Sequence, residues 1–205
     1  MRIVCISDTH NQRPTIPDGD VLIHAGDSTS QGYMTEIDRF NKWLGTLPHK
    51  HKIIIAGNHD FGFETDAVEA EACITNAIYL RDASVTIDGV TFYGSPWQPT
   101  FHNWAFNLPR GSKLKEVWSR IPMCTEVLIT HGPPAGILDR CQDGRIVGCQ
   151  DLRDRLSQLP KLKLHIFGHI HEAYGTYEMN GVTYINASSC TLVYRATNPP
   201  IVYDL

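Results

Sequence analysis

Five short runs of apolar residues, each four or five residues long, constrain the fold of this chain more than any other feature of its sequence. Their residues are mostly β-branched, Leu or Phe, and the apolar character is continuous rather than alternating. Such runs are typical of strands that are buried on both faces, as in sheets covered by helices. They occupy residues 3–7, 21–25, 53–56, 127–130 and 164–167.

Helical patterns lie between and beside these runs. Apolar residues recur at helical spacing over 37–47, 114–121 and 152–159, and Thr65 is predicted to cap a fourth helix that reaches about Asn76. Asp-Gly at 88–89 and Asn-Gly at 180–181 each separate two β-forming runs and so predict two hairpins. We therefore expect an α/β protein with two mixed sheets and helices outside them. No repeat or linker divides the chain, which predicts a single domain over residues 1–205.

Charge and cysteine usage exclude several classes of function. Lys and Arg number 18 and Asp and Glu number 22, a net charge of −4, which argues against an extended nucleic-acid surface. The six cysteines form no Cys-x-x-Cys pair, so we expect reduced thiols and a cytoplasmic location. The apolar runs are far shorter than the ~20 residues of a membrane helix, so we expect no membrane association.

Polar side chains follow each of the five runs, where the predicted strand ends. They are Asp8 and His10; Asp27; Asn58, His59 and Asp60; His131; and His169 and His171. Open α/β sheets bind ligands at the carboxyl ends of their strands, so we expect these groups to meet at one rim. A set of carboxylate, amide and imidazole ligands without cysteine indicates Mn²⁺, Fe, Zn²⁺, Co²⁺ or Ni²⁺ rather than a structural zinc site.

The number and spacing of these residues predict how they bind metal. Seven candidate ligands remain when His59 and Asp60 are set aside, which suits two metals if one carboxylate bridges them. Alternate residues of an extended backbone face the same way, so both members of Asp8-x-His10 and of His169-x-His171 are predicted to converge on the metals. Gly26 and Gly168 are predicted to let the chain bend sharply as it leaves its strand.

The order of these motifs resembles the five signature blocks of the calcineurin-like metallophosphoesterases. The blocks are Asp8-x-His10, Gly26-Asp27, Gly57-Asn58-His59-Asp60, His131-Gly132 and Gly168-His169-x-His171. They run from residue 8 to residue 171, nearly the whole chain. The resemblance implies a two-sheet β-sandwich flanked by helices, and hydrolysis of a phosphate ester by a hydroxide that bridges two metals.

The resemblance also implies a role for each motif residue. Asp8, His10, Asp27 and His171 would hold one metal. Asn58, His131 and His169 would hold the other, with Asp27 bridging the two. His59 would be the catalytic general acid, and Asp60 would orient it. The cofactors would be two divalent ions, with Mn²⁺ as the first choice and Fe, Zn²⁺, Co²⁺ or Ni²⁺ as alternatives.

Other segments of the sequence restrict the class of substrate that we expect. Protein Ser/Thr phosphatases of this family continue the second block into Asp-Arg-Gly, whereas Asp27 is followed here by Ser28. Segments 94–99 and 104–107 are similar to a compact branch of small metallophosphodiesterases. The implied substrate is a small phosphodiester, with nucleotides among the candidates. A phosphomonoesterase, including a protein phosphatase, a nuclease, and a non-catalytic metal-binding scaffold remain as alternatives.

Four residues outside the metal ligands are candidates for substrate contacts. Phe61, directly after the His59 block, and Trp97 are candidates for stacking on a nucleobase. His102 and Arg145 are candidates for binding phosphate. Each has a structural alternative, which is loop packing for the aromatic residues and solvation for Arg145.

Overall fold

The computed structural model describes all 205 residues, which form 13 strands, five α-helices and one 3-10 turn. The strands are β1 (Arg2–Ile6), β2 (Val21–Ala25), β3 (His51–Ile55), β4 (Ile78–Tyr79), β5 (Ala83–Ile87), β6 (Val90–Ser95), β7 (Gln98–Pro99), β8 (Asn107–Leu108), β9 (Val127–Thr130), β10 (Leu164–Phe167), β11 (Gly175–Met179), β12 (Val182–Asn186) and β13 (Ile201–Asp204). The helices are α1 (Met34–Thr46), α2 (Gly62–Thr65), α3 (Ala67–Cys73), α4 (Ser112–Ser119) and α5 (Gln150–Leu156), and a 3-10 turn covers His171–Ala173.

The strands form two mixed sheets and a separate β7–β8 pair. The first sheet has the order β13-β1-β2-β3-β4, in which β1 to β4 are parallel and β13 is antiparallel at the edge. The second has the order β11-β12-β10-β9-β6-β5, with four parallel central strands. The predicted hairpins, β5–β6 and β11–β12, form its two edges. Their Asp-Gly and Asn-Gly turns have the positive φ angles that a type I′ turn requires.

Residues of the parallel strands point alternately into two different cores. In β1, Ile3 and Cys5 belong to the core between the sheets, whereas Val4 and Ile6 pack against the side of the first sheet that α1 covers. The second sheet likewise shares the central core on one face and packs against α4 and α5 on the other. Both faces of each sheet are therefore covered, which explains the continuous apolar runs and confirms the predicted α/β sandwich flanked by helices.

The helices depart from the prediction in one segment. The helix predicted from Thr65 to about Asn76 is two short helices, α2 and α3, separated at Asp66 (φ −124°, ψ 43°). Thr65 does not cap α3, because its hydroxyl donates to the Asp66 carboxylate at 2.8 Å and to the Phe61 carbonyl at 3.2 Å. The longest helix, α1, has 13 residues, and none is long and apolar enough to cross a membrane.

Candidate metal centre

The loops that follow β1, β2, β3, β9 and β10 meet at one end of the sandwich, where main-chain hydrogen bonds join the two sheets. The Ser7 amide, after β1, donates to the Ala187 carbonyl, after β12, at 2.9 Å. The Asp8 amide donates to the Gly26 carbonyl, also at 2.9 Å. These bonds fix the loops relative to one another and bring together side chains as distant in sequence as His10 and His171, 161 residues apart.

Asp27 lies at the centre of this cluster. Its Oδ2 atom lies 3.4 Å from His131 Nε2 and 3.9 Å from His10 Nε2, and its Oδ1 atom accepts a hydrogen bond from the His59 amide at 2.8 Å. Burial alone would raise the pKa of Asp27, but the positive charge of His131 and the hydrogen bond to it outweigh burial and hold that pKa well below its usual range. Asp27 is thus a buried, ionised carboxylate between histidines of two different loops.

Asp8 is the second buried carboxylate of the cluster. Its Oδ1 atom lies 3.3 Å from His171 Nε2, the His169 amide donates to it at 3.1 Å, and the Ser7 hydroxyl donates to Oδ2. Burial alone would raise the pKa of Asp8, but the hydrogen bond with His171 and its charge outweigh burial and lower it. Two carboxylates that stay ionised without contact with solvent indicate a site built for positive charge.

The orientation of His131 and His171 is set by backbone carbonyls. His131 Nδ1 donates to the Ala25 carbonyl at 3.0 Å, and His171 Nδ1 donates to the Thr191 carbonyl at 3.1 Å. In both residues Nε2 is left to face a carboxylate. Histidines that ligate metals nearly always donate the other ring N–H to a carbonyl or carboxylate, which fixes tautomer and orientation. The arrangement therefore fits metal ligation through Nε2.

Three groups of ligand atoms lie within 4.8 Å of one another. The groups are Asp8, His10 and His171; His10, Asp27 and His59; and Asp8, Asp27 and His131. Asp8, His10 and Asp27 each belong to two groups, so the three form one continuous cluster. Carboxylate oxygens and imidazole nitrogens at this spacing are a donor set suited to divalent transition metals. The residues present therefore fit the divalent metals that the motifs predict.

The two remaining predicted ligands lie beside His131. Asn58 Oδ1 lies 2.9 Å from His131 Nε2, and the ring centroid of His169 lies 5.0 Å from that of His131. Burial lowers the pKa of His169 to about 3, so its imidazole is neutral, as a metal ligand must be. The structure thus brings all seven predicted ligands to the same end of the sandwich.

The backbone at these motifs is not extended, contrary to the prediction. Asp8 (φ 49°), His10 (φ 42°) and His169 (φ 68°) are in the left-handed region, as is Asp27 (φ 56°). The members of each His/Asp-x-His motif converge because the chain turns sharply, and not because alternate residues of a strand face the same way. Left-handed non-glycine residues cost of order 1–3 kcal/mol each and tend to cluster at functional sites.

The glycines of the motifs provide space for ligands. Gly26 has φ 95°, the conformation that the prediction of a sharp bend requires. Gly168 has no positive φ. A glycine is required there for a steric reason, because a Cβ would overlap Asp8 Oδ2 and Ser7 Oγ. At Gly57 a Cβ would lie 2.6 Å from His131 Cε1 and would overlap Asp27 Oδ1. The side chains of the cluster thus pack directly on glycine backbone.

His59 and Asp60 are adjacent in sequence, but their side chains make different contacts. His59 Nδ1 donates to the Ser30 carbonyl at 3.0 Å, and its ring lies 4.2 Å from that of Trp104, centroid to centroid. The buried Asp60 carboxylate makes no hydrogen bond with the His59 ring. It accepts hydrogen bonds from the amides and hydroxyls of Ser28 and Thr29 and from the Gly57 amide. Asp60 therefore fixes the loop that carries His59, and the ring itself is oriented by Ser30 and Trp104.

A cleft of about 400 Å³ opens onto the cluster. Asp27, Asn58, His59, His169 and His171 line its floor. Its other walls include Gln98, Phe101, Trp104, Arg110, Arg145, Leu192 and Tyr194. Clefts of this size hold small-molecule ligands.

Only one of the four predicted substrate contacts, Arg145, lines this cleft. Trp97 is held elsewhere, because its Nε1 donates to the Asp82 carboxylate at 2.8 Å and its ring packs on Phe106. Phe61 and His102 line a separate shallow depression next to Trp104. Arg145 itself is paired with Asp143 at 2.7 Å. Three of the four residues therefore do not line the cleft, and their contact with a substrate stays a prediction.

Several residues of the site lie outside the sequence motifs. Gln12 reaches across to the loop after β12 and donates to the Tyr194 carbonyl at 2.9 Å. The Tyr194 ring in turn packs against His10, with centroids 4.8 Å apart. Ser30 and Thr191 act through their backbone carbonyls, which any residue provides. No sequence pattern marks these four, since they reach the site through tertiary contacts.

Comparisons with known proteins agree with the site. The sequence profile of the family described as "Calcineurin-like phosphoesterase" matches residues 1–173. "Metallophosphoesterase domain-containing protein 1" of Homo sapiens is 45% identical over 230 residues, which cover 100% of this chain and 71% of the relative. The Mus musculus protein of that name gives the same figures. An archaeal phosphodiesterase of known structure matches 100% of this chain and 93% of its own with a TM-score of 0.52 and 19% identity, a likeness in fold alone.

Proposed function

The chain belongs to the calcineurin-like phosphoesterase family, and we propose that it is a binuclear phosphodiesterase that hydrolyses small phosphodiesters. The family consists of phosphoester hydrolases that use divalent metals. The proposal therefore concerns the number of metal ions, the type of phosphate ester that is hydrolysed, and the residues that bind metal or transfer a proton. The observation that carries it is the position of Asp27, whose Oδ2 atom lies between His131 and His10.

We propose that Asp8, His10, Asp27 and His171 hold one ion and that Asn58, His131, His169 and Asp27 hold the other. Asp27 Oδ2 lies 3.9 Å from His10 Nε2, in the first set, and 3.4 Å from His131 Nε2, in the second, which supports a bridging role for this carboxylate. Two divalent ions bound there would supply positive charge to phosphoryl oxygens and lower the pKa of a nucleophilic water. Mn²⁺ is the first metal to test, with Fe, Zn²⁺, Co²⁺ and Ni²⁺ as alternatives.

His59 is the proposed general acid for the leaving alkoxide. Its Nδ1–H is held by the Ser30 carbonyl, so Nε2 is the nitrogen left to face the cleft. A proton can leave from Nε2 only if the ring is the imidazolium, since the neutral ring already has its proton on Nδ1. Asp60 acts as a positioning residue, because it ties the His59 segment to Ser28 and Thr29.

A small diester suits this cleft better than a polymer does. The cleft of about 400 Å³ has room beside the metal ligands for more than a phosphoryl group. The net charge of −4 argues against a long nucleic acid, and Arg145, an arginine of the cleft, is paired with Asp143. We further propose that residues 1–205 act as one catalytic domain, because both sheets contribute to the cluster. A cytoplasmic location is proposed because all six cysteines are free thiols.

The proposal is tested by comparing diester and monoester hydrolysis in the Mn²⁺-loaded protein. We expect a higher kcat/KM for bis-p-nitrophenyl phosphate than for p-nitrophenyl phosphate. His59→Ala should keep its metal and lose ~10²–10⁴-fold in rate with a dialkyl phosphate, but much less with p-nitrophenoxide as the leaving group, which departs without a proton. His51→Ala, on β3 away from the cleft, is the matched control.

Three results would contradict parts of this proposal. A higher kcat/KM for the monoester would overturn the diester assignment in favour of a phosphomonoesterase. An equal loss with both leaving groups in His59→Ala would overturn the acid role, since that role predicts dependence on the leaving group. No turnover of either ester with any of the five metals would favour a non-catalytic scaffold.

A further inference from the structure

Exposed apolar side chains are concentrated at the mouth of the cleft. Nine large apolar side chains are exposed in the chain, and three of them, Phe101, Leu192 and Tyr194, line the cleft. Two more, Ile146 and Val193, are sequence neighbours of cleft-lining residues. Single exposed apolar residues need no explanation, but a group of them around a binding cleft marks a contact surface.

The wall formed by Leu192 and Tyr194 is tied to the loop after β1 by the amide side chain of Gln12, in addition to its own backbone hydrogen bonds. Gln12 Nε2 donates to the Tyr194 carbonyl at 2.9 Å, and Gln12 Oε1 accepts from the Ala196 amide at 3.0 Å. Tyr194 has φ 54°, an uncommon angle for a bulky residue. Its ring lies 5.3 Å from that of His171, so the wall begins at the metal ligands.

A second wall, at Phe101, is tied by the amide side chain of Asn107. Asn107 Oδ1 accepts from the Phe101 amide at 3.2 Å, and its Nδ2 donates to the Phe101 and His102 carbonyls at 3.1 and 3.0 Å. The Phe101 ring lies 6.0 Å from that of His169, a predicted metal ligand. Two groups of exposed apolar side chains, each tied down by an amide side chain among other hydrogen bonds, thus line the cleft together with the predicted metal ligands.

The charged groups of the cleft are engaged by the protein itself. The Arg110 guanidinium donates to the Val147 and Gly148 carbonyls at 2.6 and 2.7 Å. Arg145 is paired with Asp143. Neither arginine is free to bind a substituent of the phosphate, whereas the exposed apolar side chains offer it a contact surface.

We propose that the cleft selects phosphate esters of apolar alcohols, with the phosphate at the metal ligands and the apolar group between Phe101, Leu192 and Tyr194. This rests on the proposed function and names its substrate class. The three side chains are 42%, 44% and 51% exposed, so an apolar group that covers them removes apolar area of both partners from water. Nucleotides are disfavoured, because burying the polar groups of a nucleoside costs free energy that an alkyl group does not incur. Phe61 and Trp97, the residues predicted to stack on a base, also lie outside the cleft.

The test is calorimetric titration of the Mn²⁺-loaded protein with methyl, butyl and hexyl phosphate and with thymidine 5′-phosphate. We expect the Kd to fall about two- to fourfold per methylene, the range from half to full burial of each group. Thymidine 5′-phosphate should bind no tighter than hexyl phosphate. Leu192→Ser should reduce this gradient, whereas Val68→Ser, an 87% exposed residue on α3, should leave it unchanged.

Equal affinity for methyl and hexyl phosphate would overturn the inference, as would tighter binding of thymidine 5′-phosphate than of hexyl phosphate. An unchanged gradient in Leu192→Ser would overturn the assignment of the wall. The gradient is read from binding, so its failure is separable from failure of the proposed activity. Turnover of bis-p-nitrophenyl phosphate with a flat gradient contradicts this inference alone, and a steep gradient without turnover supports it while contradicting the proposed function.

Discussion

Replacing Gly57 by alanine is a direct test of the geometry of the metal centre. The new Cβ would lie 2.6 Å from His131 Cε1, whereas an ordinary carbon–carbon contact is about 3.4 Å or more. The His131 ring would therefore have to move by about 0.8 Å (3.4 minus 2.6), and Asp27 would have to move as well. Gly57 has no positive φ, so alanine is not strained in its own backbone conformation, but its Cβ would lie 2.5 Å from the Asp27 amide nitrogen and would displace that backbone as well.

The size of the effect follows from that displacement. A misplacement of about 1 Å at a catalytic centre can cost ~10²-fold, which corresponds to about 2.7 kcal/mol of transition-state stabilisation. Overpacking costs ~1–3 kcal/mol of folding stability, and the lower entropy of the unfolded alanine chain offsets ~0.4–1 kcal/mol of it. We therefore expect Gly57→Ala to stay folded at 25 °C and to lose metal and turnover together.

Gly132→Ala is the matched control, because Gly132 also adjoins His131 but is open. The nearest atom to a Cβ there is Gln98 Cβ at 3.5 Å, an ordinary contact. Metal content by elemental analysis and kcat/KM with bis-p-nitrophenyl phosphate should fall in Gly57→Ala and stay near the wild-type values in Gly132→Ala. Wild-type metal content and turnover in Gly57→Ala would refute the reasoning, as would equal losses in the two variants.

Two further predictions concern metal removal and pH. Mn²⁺ at 100 times its Kd should stabilise the wild type by about 2.7 kcal/mol and raise Tm by about 5–11 °C, with chelation reversing the shift. Asp27→Asn should show almost no shift in thermal unfolding, and a full shift would contradict the bridging role. Burial lowers the pKa of His165 to about 3 in the folded protein, whereas it is ~6.5 in the unfolded chain. The contribution of this neutral histidine to the free energy of unfolding is therefore fully present above pH ~6.5. It is lost as the pH falls from there, because the unfolded chain then binds the proton first. Chemical unfolding should thus show the wild type losing about 2 kcal/mol more than His165→Gln between pH 7 and pH 5, and parallel curves would contradict this.

The meeting of the motif residues could be predicted from the sequence because it depends on local patterns and one rule of topology. Continuous apolar runs identify buried parallel strands, and the carboxyl ends of such strands lie at one end of the molecule. Residues that directly follow those strands, such as Asp8, Asp27 and His131, are therefore expected at the same end of the molecule. The two hairpins could be predicted for a similar reason, since their turn residues act locally.

Tertiary structure alone decided how these residues meet and what surrounds them. The left-handed φ of Asp8 and the space that Gly57 leaves for Asp27 depend on neighbouring loops, which no local pattern encodes. Gln12 holds the Tyr194 loop from 182 residues away, and the predicted contact Trp97 is instead held by Asp82. The physical reason is that local pattern determines where a strand ends, whereas the packing of distant segments determines which side chains line the cleft beside it.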